Sequence, residues 1–118
     1  MGKGNEDLIR AMGAFAGGLG ASGEVCGAIV GALAVLGLKY GRGKKEERED
    51  PCMWTESREF MRRFREEISH GSIYCRDIAG VDWTDQEATK KFYRSEKLMD
   101  CIRMSGEASR LLGEFLQK

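Results

Sequence analysis

Apolar residues in this chain recur at three- and four-residue steps, and nowhere is there a persuasive alternation of the kind a half-buried strand needs. Leu8, Ile9, Met12, Phe15, Ala16 and Leu19 keep that step, so a short amphipathic helix is expected from Glu6 to about Ala16, broken by Gly17, Gly18 and Gly20. A second helix is expected from about Gly23 to Tyr40, with Ser22 as its cap, Glu24 in its first turn and Gly41 as its stop. Phe60, Met61, Phe64 and Ile68 fall on one face between Trp54 and Ile68, with arginines and glutamates on the other. Further on, Ser72 can cap a short helix from Ile73 to Ala79 that ends at Gly80. Thr84 and Glu87 fit a capping box opening a polar helix to about Ser95. The last helix, Glu96 to Leu116, places Leu98, Cys101, Ile102, Ser105, Ala108, Leu112 and Phe115 on one stripe. The pattern is that of an all-α, single-domain bundle of five to six helices over residues 1–118, with residues 42–53 as a charged linker.

The segment from Gly18 to Gly41 stands apart. It spells G-x-G-x-x-G at Gly18, Gly20 and Gly23, but that fingerprint signals a dinucleotide only between two strands, and helical periodicity precedes it while "RGKKEERED" follows. The apolar run Val25 to Leu38 has 14 residues, short of the ~18–20 that a membrane span requires. Gly23, Gly27 and Gly31, spaced by four, instead suggest a flat stripe along which another helix packs closely. An interior glycine costs about 1 kcal/mol of helix propensity, so the missing side chains must serve something.

Charge narrows the function classes. Nineteen basic and nineteen acidic residues cancel, so no single-sign field draws nucleic acid or an anionic membrane. Residues Met1 to Asp7 are polar and read as no signal peptide, which points to a cytoplasmic protein.

Cysteine is where chemistry enters. Cys26, Cys52, Cys75 and Cys101 lie 26, 23 and 26 residues apart, with no C-x-x-C pair. In a reducing compartment such residues are buried hydrophobes, metal ligands or redox centres more often than stable disulfides. Cys26 and Cys75 would each fall in the first turn of a helix, where the macrodipole favours a thiolate. Cys101 lies on an apolar stripe, Cys52 in the linker, and His70, the only histidine, beside the turn that leads to Cys75. An iron–sulfur or other metal site would require Cys26, Cys75 and Cys101 to converge, with Cys52 and His70 as further ligands. Inert core cysteines in a helical interaction module are the competing possibility.

The residues Cys26, Gly27, Ala28 and Gly31, then Gly71, Ser72 and Cys75, then Cys101, resemble in order the redox-active family named for its C-GCAxxG-C-C pattern. The resemblance spans about Leu8 to Phe115. It implies a small helical protein with a cysteine site that is redox-active or holds a metal or iron–sulfur group, working beside an oxidoreductase partner. It also implies Cys26, Cys75 and Cys101 as site residues, with Gly27 and Gly31 beside them, and a first family cysteine on an upstream helix that this chain begins too late to include. Without that helix the first two helices would leave apolar surface open, from which a homodimer is expected.

Overall fold

Asn5 starts the fold by accepting the backbone N–H groups of Asp7 and Leu8 on its side-chain oxygen, at 2.8 and 3.1 Å. The structure, a computed structural model, describes residues 4–118; the first three residues of the polar Met1–Asp7 segment lie outside the described residues. Helix α1 spans Glu6–Ala11 and tightens into a 3₁₀ turn at Gly13–Phe15. Helix α2 is Gly27–Tyr40, and α3 is Cys52–Arg63, continued as a π-helical turn over Phe64–Ile68. Short α4, Cys75–Ile78, is followed by α5, Gln86–Tyr93, and α6, Glu96–Leu116. Among the described residues there is no strand, only one antiparallel bridge between Val25 and Tyr74. Among the described residues the chain is all-α with six α-helices.

Three elements make the main core. Ile29 and Leu36 from α2, Phe60 and Phe64 from α3 and its π turn, and Leu111 and Phe115 from α6 are completely shielded from solvent. The rings of Phe60 and Phe115 meet edge to face at 5.7 Å, the geometry that aromatic quadrupoles prefer. Burying each such side chain stabilises the fold by about 1.5–3 kcal/mol. The α2 and α6 helices end side by side, because Lys39 Nζ donates to the carbonyls of Phe115 and Lys118 at 3.2 and 3.1 Å. That cation neutralises the negative end of α6. A smaller cluster, Ala79, Val81 and Phe92, carries Trp83 against it and joins α5 to the start of α6.

Several starts differ from expectation. Ser22 caps no helix and Gly23 is not helical; Gly23 has φ +71 and α2 begins at Gly27, with Cys26 as its N-cap. Tyr74, not Ser72, stands at the N-cap of α4, while Ser72 Oγ accepts the Tyr74 N–H at 3.1 Å. Asp85 replaces Thr84 as the cap of α5, accepting from the N–H groups of Glu87 and Ala88. Cys52 opens α3 instead of lying in the linker. On α6, Leu111 belongs to the core and Ile102 is 56 % exposed, so the buried stripe is turned by about one residue from the one expected. Two of the arginines of α3 and its π turn are engaged, Arg62 with Glu59 and Glu66 and Arg63 with Glu67 and Glu114, on an ordinary solvated face.

Candidate functional site

The glycine-rich segment forms a left-handed turn. Gly17, Gly18, Leu19, Gly20 and Ala21 all have φ between +58 and +75, and Gly23 follows at +71. For Leu19 and Ala21 this conformation costs about 1–2 kcal/mol each, which the surrounding structure has to offset. Its backbone is closed on itself: the Gly23 N–H reaches the Gly17 carbonyl at 3.0 Å and the Glu24 N–H reaches the Gly18 carbonyl at 2.9 Å. Those donors are not available to hold a phosphate. What the turn receives is α4. The N–H of Cys75 donates to the Glu24 carbonyl at 2.7 Å and that of Arg76 to the Gly23 carbonyl at 3.2 Å. A Cβ on Gly18 would stand 2.7 Å from Cys75 Cβ, and one on Gly23 would stand 3.0 Å from Arg76 Cβ. Glycine is required there because the chain carrying Cys75 lies directly on the turn.

The packing seam expected of Gly23, Gly27 and Gly31 does not form. Gly27 is approached by the backbone of the 3₁₀ turn, with Phe15 O 3.1 Å from an ideal Cβ, whereas around Gly31 nothing lies within 4 Å. Gly31 faces open space because it borders a cavity.

That cavity, of about 450 Å³, gathers Cys26, Cys75 and Cys101 from α2, α4 and α6, with Gly27 and Gly31 beside them. The Val25–Tyr74 bridge sets the register of the first two. The Cys26 N–H donates to Ile73 O at 2.8 Å and Cys75 N–H to Glu24 O, so both cysteines flank the bridge as diagonal neighbours. Trp83 Nε1 donates to Cys75 Sγ at 3.5 Å and orients that sulfur. Cys52 and His70 are not among the lining residues: Cys52 is exposed at the start of α3 and His70 is exposed at a left-handed turn, φ +54. All four cysteines are free thiols.

Electrostatics do not follow the helix-end argument. Burial pushes the Cys26 thiol above its ordinary value; the backbone N–H groups of Ala28 and Ile29 oppose this and lose, and the nearby Cys75 adds to the rise. The helix end acts in the expected direction, but removing the sulfur from water outweighs it. Cys101 is likewise raised, first by burial and then by Cys75 and Cys26. At Cys52 a hydrogen bond with Asp50 raises the thiol. Cys26 and Cys101 are therefore held as protonated thiols, which corrects the expectation of a resting thiolate at Cys26.

A metal or iron–sulfur group fits poorly. Among the described residues no group of three or more His, Cys, Asp and Glu is placed so as to hold a metal ion. No membrane crossing is built either, since no described helix is long and apolar enough for one.

What sequence reasoning missed was the wall of the site. Trp83, Phe92, Tyr93 and Met104 line the cavity with the thiols. A tryptophan in a short connection was the visible signal, but its partner Cys75 was not.

No curated protein and no solved structure matches the chain. A family does, over residues 1–115: it is described as "Putative redox-active protein (C_GCAxxG_C_C)". The chain spells C-G-A-x-x-G at Cys26 to Gly31, so cysteine and glycine stand in the opposite order to the name's G-C-A-x-x-G. The structure supplies a reason, since a side chain at position 27 would press on Phe15 O. With three cysteines of one pocket in the family's order, and the match covering nearly its whole length, the chain belongs to the C_GCAxxG_C_C redox-active family.

Proposed function

We propose that the protein is a thiol redox protein of the cytoplasm in which Cys26 and Cys75 are the exchanging pair and Cys101 the third thiol of the site. The observation that carries this reading is the convergence of the three sulfur-bearing residues on one apolar cavity, two of them registered by a single backbone bridge. Because the donor arrangement does not suit a metal, no step runs through one. The chemistry is exchange with a disulfide of an oxidoreductase partner. One thiol, on losing its proton, attacks a partner sulfur to form a mixed disulfide and release one partner thiol. The second then attacks the first, closing Cys26–Cys75 and releasing the other, so two electrons and two protons pass to the partner.

Oxidation with a disulfide reagent, followed by non-reducing digestion and mass spectrometry, tests this. A peptide linked through Cys26 and Cys75, lost in Cys26→Ser and Cys75→Ser but retained in Cys52→Ser, is expected. Failure to form it, or stoichiometric iron or zinc in anaerobically purified protein, overturns the metal-free pair.

We further propose a homodimer through the outer face of α1 and α2. Helix α2 is apolar up to Lys39, yet its Leu38 is 42 % exposed, as are Leu8 and Ile9 of α1 at 42 and 75 %, and α1 buries no residue. The chain exposes 8004 Å², whereas a compact protein of 13.2 kDa exposes about 6,400 Å². This surplus exceeds the ~800 Å² that each partner gives to a standard interface. Sedimentation at micromolar concentration should show a dimer that Ile9→Glu converts to monomer; a monomeric wild type ends the proposal.

A further inference from the structure

Among the described residues, the lining of the thiol cavity contains no Asp, Glu, Lys, Arg or His. Phe15, Trp83, Phe92 and Tyr93 supply ring surfaces, with the rings of Trp83 and Phe92 edge to face at 4.9 Å. Met12 and Met104 add adaptable thioethers. At about 450 Å³ the space falls in the range of small-molecule sites, ~300–1,000 Å³. The nearest ion pair by sequence, Arg76 with Glu24 at 3.5 Å, flanks Cys75 but lies outside the lining. A charged molecule entering would therefore give up part of its hydration with no counter-charge among these residues to replace it.

We infer that the cavity admits uncharged, apolar, ring-sized molecules to Cys26, Cys75 and Cys101 and excludes charged ones. The inference deepens the thiol-pair reading and rests on it for the identity of the reacting groups. Its consequence is selectivity at the site: a charged low-molecular-weight thiol or disulfide of the glutathione type is a poor reactant, and a neutral aromatic molecule occupies the space beside the sulfurs. Cys52, exposed and remote from the cavity, serves as an internal reference on the same chain.

Reaction rates of each cysteine with neutral methyl methanethiosulfonate, its anionic sulfonatoethyl analogue and its cationic trimethylammonioethyl analogue, resolved by mass spectrometry, test the selectivity. Normalised to Cys52, the cavity thiols should prefer the neutral reagent by about tenfold or more over both charged ones. Uncharged N-phenyl-1-naphthylamine should fluoresce in the cavity and slow modification of Cys26, Cys75 and Cys101 without slowing Cys52. Gly31→Leu projects a side chain into space that is empty around Gly31, and should remove this protection while its melting curve shows a folded protein. Equal normalised rates for all three reagents, or no protection by the naphthylamine in the wild type, overturn the inference. A neutral preference without a Cys26–Cys75 disulfide sinks the exchange reading alone; a disulfide without the preference sinks only this inference.

Discussion

The two ends of the molecule are built on opposite principles. Where α3 and its π turn meet the C-terminal halves of α2 and α6, Leu36, Phe60, Phe64, Leu111 and Phe115 leave no surface to water. At the other end, where the left-handed turn carries α4, side chains stop short of one another and enclose a cavity walled by three half-buried thiols. One end holds the fold by volume filling; the other combines the small Ala79, Val81 and Phe92 cluster with backbone contacts, the Val25–Tyr74 bridge and the glycines beneath α4. The contrast teaches that the strained and hollow part of the chain is the chemically equipped part, as expected when a packed scaffold offsets the cost of a site.

Phe60→Ala offers the strongest challenge to this contrast. It should cost about 3–5 kcal/mol in denaturant unfolding, since it removes a ring that touches both Phe64 and Phe115. Yet alkylation rates at Cys26 and Cys75 in the still-folded protein should stay near wild type, and a comparable change at the thiols would show that the two ends are one unit.

Gly18→Ala strikes the other end. With φ +75 and a new methyl 2.7 Å from Cys75 Cβ, it should cost about 2–4 kcal/mol and alter the reactivity of Cys75, readable by maleimide labelling. Tolerance with unchanged labelling would remove the cradle from the account.

Titration gives a smaller effect. Burial raises the Cys26 and Cys101 thiols in the folded state, so their contribution to stability is complete below the ordinary thiol value of 9.0 and is lost as pH rises through the higher folded values. The reduced protein should lose stability in that alkaline window, with each thiol contributing well under the ~1.4 kcal/mol per pH unit that one proton allows. The Cys26→Ser and Cys101→Ser variants should each flatten the slope in urea titrations between pH 8 and pH 11 (roughly the window in question); an unchanged slope in both would assign the loss elsewhere.

Gly31→Ala is the mildest and the sharpest contrast with Gly18. Its Cβ meets nothing within 4 Å and the position is helical, so the substitution should stabilise by about 0.5–1 kcal/mol in thermal melts. A loss instead would mean that α2 is approached closely there in solution.

Periodicity carried the reading of the helices well, because an amphipathic stripe is a local property: Phe60, Phe64, Ala108 and Phe115 lie in the core as their spacing predicts. Helix starts were less legible. Ser22 and Ser72 are good caps by local chemistry, but the pairing of Val25 with Tyr74, forty-nine positions away, claims the backbone groups that helices starting at those serines would have used. The glycine stripe misled for a related reason. Spacing by four has meaning only on a helix, and the left-handed run Gly17–Ala21, with Gly23 itself left-handed, places Gly23 off it.

By itself the sequence determined the all-α class, the aromatic core face and the family, and singled out Cys26, Cys75 and Cys101 as candidates, since composition, period and motif order are carried by neighbours along the chain. Tertiary structure alone decided that those three meet in one uncharged cavity, that Trp83 faces Cys75, and that Cys52 and His70 stand apart from it. It also decided that the Cys26 thiol moves upward, because desolvation depends on everything that surrounds the sulfur, and the helix end that Cys26 caps is only one part of that surrounding.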